Sequence, residues 1–233
     1  MTALDDLLDT IFDGAQPAFY LEFAEWVQAS RRFKAFAIAY RGKIRKKLKN
    51  VRDDAGMDDL RAELATSALL LREASFAVEY EKYAASKQRT PDFTVTFKTH
   101  TAFNVEVRRI RSAELDDQDA EVRIGKLMTV LCAKVGQMPP GSINLLWLMT
   151  ERDLSQDDLS RAATTLLQLA ERKAEEFFTR RRFKSAADFL SQYRHLSGIV
   201  WRQSGAYVLW LNPLARHKPS PDIVTAIQRL APL

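Results

Sequence analysis

PDFTVTFKTHTAFNVEVRR, Pro91 to Arg109, carries two runs rich in Phe, Val and Thr on either side of a short polar turn, Lys98 to Thr101. The runs are Phe93 to Phe97 and Phe103 onward to Ile110, and their alternation predicts a β-hairpin. With the turn centred near Thr99, Asp92 stands seven residues before it and Glu106 seven after it, so folding back sets the two carboxylates opposite each other. Glu106 lies between Val105 and Val107, where a mid-strand carboxylate is disfavoured unless it is solvated or paired. Two anions side by side call for a cation.

Upstream, Phe76 to Tyr80 alternates as another strand, joined to the hairpin by a polar turn, Ala84 to Thr90. Before it, a helix is predicted from about Leu60 to Arg72, capped by Asp58 or Asp59 after Asp53, Asp54 and Gly56 break the pattern. Leu60, Leu64, Ala68 and Leu71 form its apolar stripe, and Glu63 sits beside that stripe, where a carboxylate can be half-buried and aimed at the sheet. The plain alternative for Glu63 is a surface glutamate paired with a basic neighbour. Downstream, an acidic loop, Glu114 to Asp119, leads into a helix from about Glu121 to Val135 that Pro139, Pro140 and Gly141 stop. INLLWLM, Ile143 to Met149, is continuously apolar at strand length and fits a central strand covered on both faces. A helix returning to such a strand implies a crossover connection.

The flanks are helical. Thr2 caps a first helix that Gly14 ends, and Pro17 opens a second, with Phe19, Phe23, Trp26 and Val27 inward. Arg31 to Arg52 contains ten basic residues and no acidic one, with a stripe of Phe33, Phe36, Ala37, Tyr40, Ile44, Leu48 and Val51. An amphipathic helix with so basic an outer face, including Arg41, Lys43, Arg45, Lys46 and Lys49, can lie along a phosphate backbone, although such runs usually mark only a solvated face. Ser155 caps a long helix taken to include Phe177, which ends in a second basic cluster, Arg180, Arg181, Arg182 and Lys184. A shorter helix from Ser185, a hairpin about Ser204-Gly205 and a terminal helix over Pro221 to Leu230 complete the chain.

The 233 residues carry 35 Lys plus Arg against 30 Asp plus Glu, a net charge of +5, which suits a polyanionic partner without requiring one. One cysteine, Cys132, rules out a disulfide framework within the chain and fits a reducing cytoplasm. No apolar run of about 18 residues and no signal-peptide core is present, so neither a membrane span nor a membrane partner is expected. G-x-G-x-x-G, P-loop and G-x-S-x-G patterns are absent, and His100, His195 and His217 have no zinc-like spacing with Cys132.

With helix, three strands, helix and strand in that order, Glu63 in the first helix, Pro91-Asp92 opening the second strand and Glu106-Val107-Arg108 in the third, the sequence resembles the PD-(D/E)xK nuclease superfamily. The resemblance implies an α/β fold with a restriction endonuclease-like αβββαβ core and a central mixed sheet. That core would occupy 58–150 of a single domain, with an N-terminal helical extension, 1–57, and C-terminal helices and hairpin, 151–233. It also implies hydrolysis of phosphodiester bonds, in DNA more than RNA, with Mg²⁺ or Mn²⁺. Asp92, Glu106, the Val107 carbonyl and Glu63 would hold the metal, and Arg108 joins the three acids as a catalytic candidate. Arg108 stands where the family has lysine; arginine stays protonated and cannot act as a base, but it can bind a phosphate in bidentate fashion. Lys134 and Gln137 are the candidates for the missing group, in a K-x-x-Q-x-P run that otherwise reads as helix surface. Two further readings remain open: a member that binds nucleic acid through its basic helices without cutting, and an assembly component serving a partner or a homodimer.

Overall fold

The computed structural model describes residues 2–82, 90–111, 119–150 and 154–230. The expected turn at 84–90 and acidic loop at 114–119 lie almost wholly outside that set.

Four helices come first: α1 (Ala3–Phe12), α2 (Tyr20–Ala29), α3 (Arg31–Asn50) and α4 (Asp54–Leu70). Strands β1 (Phe76–Tyr80), β2 (Phe93–Phe97) and β3 (Thr101–Ile110) follow, then α5 (Ala120–Val135) and β4 (Ile143–Thr150). The remainder is α6 (Gln156–Glu171), α7 (Glu175–Thr179), α8 (Ala186–Tyr193), β5 (Gly198–Gln203), β6 (Ala206–Leu211) and α9 (Pro221–Gln228). One mixed sheet runs β1-β2-β3-β4-β5-β6. Its pairings are antiparallel except β3 with β4 and β4 with β5, which are parallel, as the helix crossovers require.

Alternation along β4 shows how the two faces are filled. Leu145 and Trp147 join Phe93, Val105 and Val107 under α1 to α4 and α9, whereas Leu146 and Leu148 join Ile199 and Trp201 under α5 to α8. All four β4 residues are buried, which explains why that strand reads as an unbroken apolar run. Gly198 fits the start of β5 because an added Cβ would meet the Trp210 carbonyl oxygen at 2.7 Å.

Four boundaries depart from the sequence reading. The second helix opens at Tyr20 rather than at Pro17, whose carbonyl accepts from the Tyr20 N–H at 2.8 Å in a turn ahead of it. Helix α4 begins six residues earlier than predicted from Leu60, because Asp53 accepts from the Gly56 N–H at 2.8 Å and so caps a turn that Gly56 does not break. The long helix from Ser155 stops at Glu171, before Phe177. Lys173 there takes φ 55, and the Ala174 N–H returns to the Leu169 carbonyl at 2.9 Å, a helix-ending turn that commonly uses glycine. Strand β3 starts at Thr101 rather than Phe103, pairing that residue with Phe97.

Helix α3 is not a free basic rod. Phe33, Phe36, Ala37 and Ile44 are buried, and several of its cations point inward or along the protein. Arg32 donates to the carbonyls of Leu71, Glu73 and Phe76, fastening the end of α4 to the start of β1. Lys43 donates to the carbonyls of Tyr80 and Glu81 at 2.8 and 3.0 Å. Arg45 and Lys49 both pair with Asp13, at 2.8 and 2.9 Å. Of the five α3 cations assigned to nucleic acid, Arg41 and Lys46 are exposed and, among the described residues, form no ion pair.

Candidate functional site

The hairpin places the two carboxylates as the spacing predicts. Phe93 pairs with Val105, so Asp92 and Glu106 face each other one step further along β2 and β3. Strand β2 ends there while β3 runs on to Ile110, supported from then on by β4. The uncovered edge of β3 is taken up by a side chain: Asp92 Oδ2 accepts from the Val107 N–H at 2.7 Å. Because the N–H and C=O of one strand residue leave by the same edge, the Val107 carbonyl also lies on this side.

Each face of the sheet contributes a lysine. From α5, Lys134 Nζ reaches Glu106 Oε1 at 2.5 Å. From α3, Lys47 Nζ lies 2.5 Å from Glu63 Oε1 and 2.8 Å from Glu81 Oε1, and stands 4.8 Å from the Tyr80 ring centroid. Asp92 lies between these pairs, and both lysines act on its charge. The Tyr80 hydroxyl is buried beside Glu63 and helps to hold its carboxylate.

Burial governs the electrostatics. Glu63 is pushed up to about 7, first by burial and then by the charge of Asp92, against the pull of Lys47. Asp92 and Glu106 move in the same direction. Burial is the leading cause for both, and the Val107 N–H and the lysines oppose it for Asp92 as Lys134 does for Glu106. Lys47 is raised: burial disfavours its charge, but Glu63 and Glu81 together overcome that cost. Glu63, Glu81, Asp92 and Glu106 thus crowd four carboxylates around two lysines.

A hollow of about 570 Å³ opens over the site, lined by Glu63, Asp92, Val107, Arg108, Lys134 and Lys47 among others. Glu106 is behind its wall, joined to it through Lys134. Asn50, Arg52 and Arg109 also border it, and Arg109 is held by Asp58 at 2.7 Å. The oxygen atoms gathered around this end of β3 are the carboxylates of Asp92, Glu106 and Glu63 and the Val107 carbonyl. Among the described residues, no three of His, Cys, Asp and Glu close into a preformed metal cage.

Of Lys134 and Gln137, the structure brings Lys134 to the acidic pair and leaves Gln137 outside. Gln137 is exposed beyond the end of α5 and faces two neighbouring hollows. Arg180, Arg181 and Arg182 gather elsewhere, between α7 and α8. Sequence reasoning missed Lys47, Glu81 and Tyr80. The signal available for Lys47 was its place seven residues after Tyr40, at the margin of the apolar stripe.

No protein-family model, curated protein or solved structure matches the chain. The helices are also too short or too polar to cross a membrane among the described residues.

Proposed function

We propose that the protein is a metal-dependent phosphodiesterase acting on nucleic acid, DNA ahead of RNA, built on a restriction endonuclease-like core over 58–150. The observation that carries this reading is the opposition of Asp92 and Glu106 at the uncovered edge of β3, with Val107 between Glu106 and Arg108. Mg²⁺ and Mn²⁺ suit that donor set, because such ions bind through one or two carboxylates and keep several waters rather than requiring an all-protein cage. Asp92, Glu106 and the Val107 carbonyl would hold the ion, and Glu63 would support it from α4. When bound, the ion supplies Lewis-acid stabilisation of charge on the phosphate.

The chain's own groups account for the remaining work. Arg108 lines the hollow and can bind two phosphate oxygens with its fork of donors, but it cannot accept a proton. Lys134 offers an exchangeable proton at Nζ beside Glu106, from a helix rather than from the strand. Lys47 holds Glu63 and Glu81 in place until a cation competes for them. Burial excludes water from these pairs and strengthens every charge interaction there.

One observation favours a second reading, a binder that does not cut: Lys47 and Lys134 already neutralise carboxylates that an ion would need. Calorimetric titration of Mn²⁺ into wild type and into the Asp92→Ala, Glu106→Ala double variant separates the two. Binding by wild type alone, followed by Mn²⁺-dependent cleavage of DNA, supports the enzyme. Wild type that binds no Mn²⁺ yet retains DNA in EDTA supports the binder.

A further inference from the structure

Away from the carboxylates, Arg180, Arg181 and Arg182 border a hollow of about 380 Å³ between the end of α5 and the α7–α8 connection, together with Gln137 and Gln192. The main chain fixes this connection: the N–H groups of Arg181 and Phe183 both return to the Phe178 carbonyl, at 2.9 and 3.1 Å. Arg182 is held at φ 68, a conformation that costs a side-chain-bearing residue on the order of 1 kcal/mol. Arg181 lies over the Phe177 ring with Cζ 3.7 Å from its centroid, donates from Nη1 to the Phe177 carbonyl at 3.0 Å, and keeps a buried Nε without a hydrogen-bond partner.

The acids nearby do not cancel this charge. Glu176 is paired with Arg180. Asp188 accepts from the Lys184 N–H at 2.9 Å and from the Gln192 side chain at 3.0 Å. Among the described residues no ion pair reaches Arg181 or Arg182, so two guanidinium groups face the hollow uncompensated. A buried guanidinium donor without a partner is costly, and an anionic oxygen would satisfy it.

We propose that this hollow is a phosphate subsite. It shares Thr129, Ala133 and Gln137 with a second hollow, of about 610 Å³, whose wall includes Arg108, Lys126 and Lys134. Arg108 and Lys134 in turn border the carboxylate hollow. The three hollows adjoin around α5, so a strand held at the acidic pair can run along them to the arginines. That the phosphate belongs to a nucleic-acid strand rests on the reading of the carboxylate site; the anion subsite itself does not.

The test is binding in EDTA, which removes any metal from the readout. Inorganic phosphate and a single-stranded oligonucleotide with either a 5′-phosphate or a 5′-hydroxyl are titrated into wild type, Arg182→Gln and Arg181→Lys. Arg182 is exposed, so its variant should fold, and Arg181→Lys keeps the charge while losing the planar fork. Loss of one charge-assisted hydrogen bond should weaken binding roughly tenfold to a hundredfold. Weakening confined to free phosphate and the phosphorylated strand identifies a terminal phosphate, and equal weakening for both strands identifies an internal diester. Either supports the subsite. Wild type that binds none of the probes, or variants that bind all of them like wild type, would overturn it. The Asp92→Ala, Glu106→Ala variant is expected to bind these probes at least as well as wild type, whereas failure of the metal reading would show separately, in the Mn²⁺ titration.

Discussion

Lys134 Nζ lies 2.5 Å from Glu106 Oε1, so a helix packed on one face of the sheet supplies the counter-charge for a carboxylate in its third strand. The two side chains are only 18% and 13% exposed. At that depth neither charge is tolerable alone.

Lys134→Met should therefore destabilise the fold by about 3–5 kcal/mol at pH 8, the usual cost of stranding a buried charge. The penalty should shrink toward pH 5. Burial first and Asp92 second raise Glu106, and without its lysine the carboxylate can take up a proton instead. Urea unfolding of both proteins at the two pH values measures this, and a penalty independent of pH would contradict it.

Glu63 gives the wild-type protein a stability that falls as pH rises. Its folded value of about 7 lies above the ordinary 4.5, so between these values the folded state holds more protons than the unfolded one. The stabilising proton is present below pH 4.5 and lost as pH passes through 7. Unfolding free energies from pH 5 to 8 should decline for wild type, and decline less for Glu63→Gln. Parallel curves for the two proteins would remove Glu63 as the cause.

Asp92→Asn and Asp92→Ala should differ in a way that charge alone does not explain. An asparagine oxygen can still accept from the Val107 N–H, whereas alanine leaves that donor unmet at a cost of about 1–3 kcal/mol. Amide exchange at Val107 should be much faster in the alanine variant and near wild type in the asparagine variant. Both should lose Mn²⁺ binding if the proposed site is correct.

Arg32→Met should cost about 3 kcal/mol or more, since it removes charged donors from three carbonyls at the α4–β1 junction. Arg32→Lys should recover only part of that, because an ammonium lacks the planar fork. Thermal unfolding of the three proteins checks both statements.

The acidic pair was legible because hairpin register is a matter of counting: Asp92 and Glu106 are equidistant from Thr99, and period-two alternation fixes which residues share a face. Strand β4 was legible from its unbroken apolar run. Lys134 was within reach of sequence reasoning as one lysine of a helix that had to pass over the sheet, but nothing in the spacing distinguished it from Gln137, which stays outside. Helix α3 was misread in emphasis. A basic helix face resembles a solvated or nucleic-acid-binding surface until tertiary contacts show where each long side chain ends, and Lys43 and Lys47 bend back to carbonyls and carboxylates of α4, β1 and Glu81 just past β1. The start of α4 was hidden for a different reason: glycine at position 56 argued against helix, and the Asp53 cap outweighed it.

The separation of 28 positions between Glu106 and Lys134 also sets a sequence of events during synthesis. A chain grows from its N-terminus, so the hairpin with Asp92 and Glu106 is made before the helix that carries Lys134. Until that helix arrives, a nascent chain holds its third strand with an uncompensated acid. An ionised Glu106 is therefore unfavourable to bury until α5 docks and brings Lys134 to it.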